Sequence, residues 1–381
     1  MIPCFTMIKR IYEDLEKLIK PNKVLVIYGP RRVGKTTILN NYLVSTPWKY
    51  KLDSGDNIEI QHKLSSQEFK QIIPYAEGYE LIAIDEAQHI PNIGMGLKIL
   101  VDQLPGLRII ATGSSSFNLA NQVGEPLVGR KRTITLYPIS QLELLDRHNR
   151  YELKGKAEDF LVFGSYPDVV TAKTRREKVN ILQEIVTSYL FNDILDFDRV
   201  KASRALVDLT KLLAFQIGNE VSLNELSRNL GIDVKTVGRY LDLLEKAFII
   251  VSVGGLRRNL RREVTSKRKY YFLENGVRNG LISQFNTFDK RDDVGQLWEN
   301  FIFMERLKKR HYKNIHGNIY FWRTHEGQEI DMVEERDGNY FGFECKWSEK
   351  HKIKIPRLWK ENYPQAGFKV ITPENYLEFV A

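Results

Sequence analysis

The sequence predicts an α/β protein in three parts: a parallel sheet wrapped by helices, a helical middle region and a second α/β domain at the C-terminal end. Three observations predict it. A glycine-rich loop, Gly29-Pro30-Arg31-Arg32-Val33-Gly34-Lys35-Thr36, sits between an apolar strand and a helix. Apolar residues then recur at helical spacing from Ala157 to about Gln216, as in Ile181, Ile185, Tyr189 and Phe191. Short strands punctuated by acidic residues follow from Ile319. The expected divisions are 1–145, 146–265 and 266–381.

The run Val24 to Tyr28 reads as a buried parallel strand, and Thr36 to Leu43 as the helix after the loop. The spacing G-x-x-x-x-G-K-[ST] has meaning in this strand–loop–helix setting. Its glycines let successive backbone N–H groups converge on one anion, and the helix N-terminus adds unpaired N–H groups. Residues 29 to 36 with Thr37 are therefore the expected phosphate cradle. Lys35 would reach the β- and γ-phosphates, and the Thr36 hydroxyl would ligate Mg²⁺.

A second apolar strand, Leu81 to Ile84, ends in Asp85-Glu86. Asp85 would hold Mg²⁺ opposite Thr36, and Glu86 would polarise the attacking water. The strand Leu107 to Thr112 runs into Gly113-Ser114-Ser115-Ser116. Ser114 is the expected γ-phosphate sensor there and Thr112 the runner-up, against a plain Gly/Ser turn. Arg130, before the strand Thr133 to Tyr137, would stabilise transition-state charge in its own subunit or, in an oligomer, a neighbour's; a basic solvated loop is the alternative. ATP is expected over GTP, because no guanine-reading N-K-x-D follows the loop.

Composition agrees. The 381 residues allow two or three domains, and 43% hydrophobic with 28% charged residues is ordinary for a globular chain. No apolar run approaches the ~20 residues that span a bilayer. Lys9, Arg10, Glu13, Asp14, Glu16 and Lys17 stand where a signal peptide needs apolar residues, so the cytoplasm and no membrane partner are expected. Cys4 and Cys345 are too few for a disulfide framework or a zinc site. A net charge of +9 points to an anionic partner, ATP or nucleic acid.

GPRRVGKTT, LIAIDEAQHI, ATGSSSF and GRKRTITLYPIS together resemble the prokaryotic AAA-type, or archaeal-type, ATPases of the additional-strand P-loop NTPases. The resemblance implies a suspected arginine finger at Arg130. It continues in Phe163-Gly164-Ser165-Tyr166-Pro167, where Ser165 replaces a glycine, in Tyr189 to Ile194, and in Tyr271 to Asn279, with Glu274 at the acidic position.

In the middle region Asp193 and Asp196 read as solvated helix positions. Ser222 caps a short helix with Glu225 three residues on, and Gly231 ends it. Asp233 caps a second helix, Val234 to Lys246, and Ile249 to Val253 reads as a wing strand. Helix, glycine turn and helix make a helix-turn-helix. Lys235, Thr236 and Arg239 would face DNA, or the module would pack against protein without touching DNA. Arg257, Arg258, Arg261, Arg262, Lys267, Arg268 and Lys269 follow, seven basic residues in thirteen. They read as a phosphate-tracking patch or as a solvated linker face.

Near the C-terminus a helix starts at Trp298-Glu299-Asn300-Phe301. Strands are expected near Ile319–Arg323, Glu329–Glu334 and Tyr340–Trp347. Glu344 and Lys346, two apart on one strand, would share a face. Asp331 and Glu344, with Glu299 from the helix, would hold Mg²⁺, and Lys346 would position water or steady charge. Gln328 and His325 read as loop residues. Acid followed by E-x-K resembles the PD-(D/E)xK nucleases, which implies a restriction-endonuclease-like domain. The fold class in full is thus an AAA-type P-loop parallel sheet, a helical and winged-helix region, and this nuclease-like domain. The functional expectation is an ATPase coupled to a DNA-binding or nuclease-like module. The alternative is an ATP-gated switch that holds DNA or protein and cleaves nothing.

Overall fold

A computed structural model describes residues 8–114, 126–187, 203–256, 267–324, 326–348 and 354–381. Arg257, Arg258, Arg261, Arg262, Cys4, Ser115, Ser116, Asp193, Asp196 and His325 lie outside the described residues. The chain divides into two units. One is Met1–Pro138 with Lys246–Phe248, the other Ile139–Glu245 with Ile249–Ala381.

The first unit carries β1 (Lys23–Tyr28), α1 (Lys35–Ser45), β2 (Tyr50–Ser54), α2 (Ile58–Ser65), α3 (Phe69–Ala76), β3 (Leu81–Asp85), α4 (Ile93–Gln103), β4 (Arg108–Gly113) and β5 (Lys131–Thr135). The five strands form one parallel sheet in the order β2-β3-β4-β1-β5. β4 stands as an added strand between β3 and β1. The central strands are buried on both faces, which is why they read as continuous apolar runs. Their side chains pack with Ile60, Leu64, Ile72, Leu97 and Leu100 from α2, α3 and α4. All parallel strands end on one edge, so the segments after β1, β3 and β4 meet there.

The second unit begins with α5 (Gln141–Leu144), α6 (Arg150–Gly155), α7 (Ala157–Phe163), α8 (Pro167–Thr171), α9 (Arg175–Thr187) and α10 (Ser203–Phe215). Then come β6 (Glu220–Val221), α11 (Leu223–Leu230), α12 (Val234–Lys246), β7 (Ile250–Gly254) and β8 (Arg268–Phe272). Ser222 accepts from the Glu225 N–H, and Gly231 ends α11 in the left-handed region with φ +65°. Asp233 accepts from the Thr236 N–H at 2.9 Å and opens α12. The strands pair antiparallel in the order β6-β8-β7.

The chain continues through α13 (Asn275–Leu281), α14 (Val294–Tyr312), β9 (Asn318–Arg323), β10 (Glu329–Arg336), β11 (Asn339–Cys345), α15 (Arg357–Asn362), β12 (Gly367–Ile371) and α16 (Tyr376–Val380). β9, β10 and β11 form an antiparallel meander, and β12 adds parallel to β11. A bridge from Gly255 to Phe321 and the Leu256 N–H bond to the Phe321 carbonyl join the β6-β8-β7 sheet to this one.

The division differs from the expected one because β8 starts beyond residue 266 yet pairs with β6 and β7. The basic run differs too. Arg268 and Lys269 are strand residues, and Lys269 is 1% exposed.

Two of the family-like segments, Phe163 to Pro167 and Tyr271 to Asn279, are tied together, while Tyr189 to Ile194 lies outside the described residues. Glu274 accepts from the Ser165 N–H and hydroxyl, both at 2.8 Å, and pairs with Lys308 at 2.9 Å. Lys308 also pairs with Glu305, which accepts from the Gln141 N–H. A Cβ on Gly164 would stand 2.2 Å from a Glu274 oxygen, so the carboxylate reaches Ser165 because Gly164 has none. Asn279 donates to the Leu161 and Val162 carbonyls, and Arg278 pairs with Asp293.

Candidate nucleotide site and carboxylate cluster

At the carboxyl edge of the parallel sheet, β1 gives way to the loop and α1. Gly29 has φ +152°, and a Cβ there would lie 2.1 Å from the Leu136 carbonyl oxygen. Glycine alone lets the loop pass this close to the segment after β5. Lys35 is 5% exposed, and its Nζ donates to the Gly29 and Pro30 carbonyls at 2.9 and 2.8 Å. The loop thus carries its own ammonium inside its curl. Val33 is buried beneath it, while Arg32, Thr36 and Thr37 are exposed and Arg31 is half-buried.

Thr36 Oγ1 donates to Asp85 Oδ2 at 2.7 Å. The Thr112 hydroxyl donates to the other oxygen of the same carboxylate. A hydroxyl and a carboxylate in contact, at the mouth of an ammonium-bearing anion cradle, are the donor set for a hard cation beside phosphate, and here the residues fit Mg²⁺.

Glu86 turns out of β3 in the left-handed region, with φ +50°. Its N–H donates to Thr112 Oγ1 at 3.2 Å. Its Oε2 accepts from Gln88 Nε2, which also donates to Ser114 Oγ at 3.2 Å. Ser114 and Thr112 are both buried. Thr112 therefore serves Asp85 and Glu86 directly, and Ser114 reaches Glu86 through Gln88.

Two residues here went unsingled in the sequence. Gln88 is 4% exposed, and its Oε1 finds no hydrogen-bond partner among the described residues. Its signal was a long polar side chain directly behind Asp85-Glu86. Arg10 donates to the Val33 and Tyr137 carbonyls, both at 2.5 Å, and braces the loop. It is 8% exposed, where the sequence suggested only a charged N-terminal stretch.

Arg130 lies elsewhere. It precedes β5, and its carbonyl accepts from the Val24 N–H at the opposite end of β1 from the loop. A six-residue strand separates them, roughly 20 Å. Arg130 Nε pairs with Asp102 at 2.6 Å. The loop of its own chain is therefore out of its reach.

Residues 21–145 match the model of the AAA domain. The N-terminal region is an AAA-type, ATP-binding P-loop domain. Residues 154–287 and 294–378 match two domains of unknown function, DUF8612 and DUF4143. An uncharacterized protein of Mycobacterium tuberculosis is 26% identical over 87% of this chain and 72% of its own length. Uncharacterized proteins of Methanocaldococcus jannaschii and Haemophilus influenzae are 25% and 27% identical. They cover 85% and 81% of this chain, and 75% and 79% of their own lengths. AMPPCP-bound DnaA from Aquifex aeolicus aligns over 61% of this chain and 84% of its own, at 17% identity and a TM-score of 0.26. Among the described residues no helix is long and apolar enough to cross a membrane.

In the second unit, Lys235 and Arg239 are exposed at the start of α12, and the Arg239 guanidinium lies 5.6 Å from the Tyr240 ring centroid. Thr236 is half-buried, its hydroxyl bonded to Asp233.

Farther along, the β10–β11 register sets Met332 opposite Phe343, which makes Asp331 and Glu344 neighbours at the strand ends. Asp331 Oδ2 accepts from the Cys345 N–H at 2.8 Å. Glu344 pairs with Lys346 at 2.8 Å, so these two share a face as expected. Lys346 stands one residue beyond β11, with its N–H bonded to the Ile371 carbonyl. Burial raises both carboxyls above the usual range, with Glu329 adding to the effect at Asp331 and Asp331 adding to it at Glu344. Burial and the surrounding carboxylates push the Cys345 thiol well up.

Glu299 on α14 faces Lys269 at 3.2 Å and the Tyr271 hydroxyl at 2.7 Å. Burial, then Asp331, push its carboxyl up to about 7. Among the described residues no group of three or more His, Cys, Asp or Glu is placed to hold a metal ion. Of the expected set, Glu299 thus meets the Lys269 ammonium, Glu344 the Lys346 ammonium, and Asp331 the Cys345 N–H.

Proposed function

We propose that the protein is a Mg²⁺-dependent ATPase whose nucleotide state gates the binding of DNA by the α11–α12 helix pair. The observation that carries the ATPase part is the chain of contacts Thr36–Asp85–Thr112–Glu86–Gln88–Ser114 at the mouth of the phosphate loop. Bound Mg²⁺, held by Thr36 and through water by Asp85, would neutralise phosphate charge. Lys35 exchanges two neutral carbonyls for phosphate oxygens, a charge-assisted gain. Glu86 orients and deprotonates the attacking water. Ser114 meets the γ-phosphate, and through Gln88 that contact bears on Glu86. Arg130 would act on a neighbour's nucleotide, which requires an oligomer.

Support for the DNA part is the exposed pair Lys235 and Arg239 on the first turns of α12. The test is binding of labelled DNA with ATP, with ADP and without nucleotide, for wild type and Lys35→Ala. Gated binding differs between nucleotide states in wild type alone. Equal affinity in every state removes the gate, and a protein ligand of the same helix pair becomes the better reading.

A nuclease is a second reading, favoured by the order α14-β9-β10-β11-α15-β12 and the adjacency of Asp331, Glu344 and Lys346. Its test is cleavage of supercoiled and linear DNA with Mg²⁺ or Mn²⁺, with and without ATP. Loss of cleavage in Asp331→Asn and in Lys346→Ala establishes it. No cleavage by an active ATPase leaves the switch.

A further inference from the structure

Lys269 was expected in a basic surface run. Instead β8 carries it inward, and its side chain is 2% exposed. Its Nζ lies 2.6 Å from Glu329 Oε1 and 3.2 Å from Glu299 Oε1. Asp331 adds its field to the same ammonium. The ring of Phe321 lies below, its centroid 5.6 Å away. One positive charge thus sits between carboxylates contributed by a helix, α14, and by β10. A divalent ion bridging a helix glutamate and an adjoining strand would be asked to do the same.

We propose that Lys269 is the built-in counter-ion of this carboxylate cluster, and that its ammonium holds the place of a divalent cation. The inference goes beyond the ATP-gated reading and does not depend on it.

The pairing of charges supports it. The carboxylates are Glu299, Glu329, Asp331 and Glu344. Facing them are Lys269, Lys346, paired with Glu344 at 2.8 Å, and Arg323, 3.9 Å from Glu329. Arg323 also pairs with Glu220 at 3.6 Å, and Glu220 with Lys267 at 3.9 Å, so the rim of the cluster is salt-bridged as well. Glu299 also accepts from the Tyr271 hydroxyl at 2.7 Å, so its buried oxygen has a neutral donor beside the ammonium. A buried charge is tolerated when paired and hydrogen-bonded, and Lys269 has carboxylate partners at bonding distance.

The consequence is mechanical. β8 is joined to β6 and β7, and Lys269 pins it to α14 and β10. The β7–β8 pair is thus tied to the C-terminal sheet by ion pairs that chelators do not touch.

The experiment is a Mn²⁺ titration followed by electron paramagnetic resonance, on the full chain without nucleotide. Wild type is compared with Asp331→Asn, Lys269→Met and the double variant Lys269→Met/Asp331→Asn. The expected result is the same Mn²⁺ stoichiometry in wild type and Asp331→Asn. Lys269→Met gains one Mn²⁺ per chain, and the double variant loses it. A wild-type Mn²⁺ site that disappears in Asp331→Asn overturns the proposal. So does a folded Lys269→Met that gains nothing. If Lys269→Met does not fold, the first comparison still decides. ATPase activity, measured alongside, reports on the phosphate loop separately.

Discussion

Two lysines, one in each unit, are almost equally hidden, yet they meet opposite kinds of partner. Lys35, 5% exposed, rests on the neutral carbonyls of Gly29 and Pro30. Lys269, 1% exposed, rests on the carboxylates of Glu299 and Glu329. A cation on carbonyls gains by exchanging neutral acceptors for anionic ones, which adds Coulomb attraction. A cation on carboxylates has its strong partners already. Burial alone therefore does not mark a binding site; what surrounds the buried charge does.

The largest expected effect sharpens the Lys35 side. Glu86→Gln keeps the side chain's size and its contact with Gln88 while removing the base. ATP turnover at saturating substrate should fall by about 10²- to 10⁴-fold, with nucleotide affinity nearly unchanged. Steady-state kinetics and a fluorescent-nucleotide titration separate the two. A loss of affinity with turnover intact would place Glu86 in binding rather than chemistry.

Next in size is the stability of the other site. Lys269→Met leaves Glu299, Glu329 and Asp331 without their ammonium, which should cost about 3–5 kcal/mol. Lys35→Ala should cost far less and instead abolish tight nucleotide binding. Urea unfolding of both variants measures the contrast. Equal losses would erase the distinction between the two lysines.

A smaller effect carries a pH sign. The Glu299 carboxyl is pushed up to about 7 from an ordinary 4.5, by burial first and Asp331 second. A raised folded-state value means that ionisation is penalised in the native protein. The stability contribution is complete below pH 4.5 and is lost as pH rises through 7. Over that window the loss should be about 3 kcal/mol. Glu299→Gln, which cannot ionise, should flatten this part of the profile. Asp331 and Glu344 shift in the same direction, so some slope remains. An unchanged profile in Glu299→Gln would show that Glu299 is ionised throughout.

What the sequence made legible followed how local each feature is. The phosphate loop, Asp85 and Glu86 are fixed by contiguous motifs between apolar strands, and the strands formed within a few residues of expectation. The α11–α12 pair was legible for the same reason, since Ser222, Gly231 and Asp233 act on their own neighbours. Gln88 and Arg10 were not, because their roles depend on chain segments 26 and 127 residues away. Arg130 was placed on the correct segment, but only strand direction shows which end of the sheet it occupies. Lys269 was hidden by its neighbours. In sequence it is the last of a basic run; in space, Lys267 and Arg268 stay at the surface and burial begins at Lys269, the second residue of β8.

That division yields the smallest effect, which separates the basic residues by role. Each phosphate contact adds about 0.9 to the slope of log K against log salt on double-stranded DNA. Lys235 and Arg239 are exposed near the start of α12, so Lys235→Ala with Arg239→Ala should lower that slope by about 2. The affinity loss should be nearly uniform across sequences for a phosphate-only contact, and concentrated on one sequence if Arg239 reads a base edge. Thr236→Ala should change the slope hardly at all, because its hydroxyl is committed to Asp233. Lys269→Arg keeps the charge with the carboxylates and should leave the slope at the wild-type value. A slope that drops with Lys269 substitutions but ignores Lys235 and Arg239 would reverse the assignment, making the inward lysine a surface contact and the α12 pair a bystander.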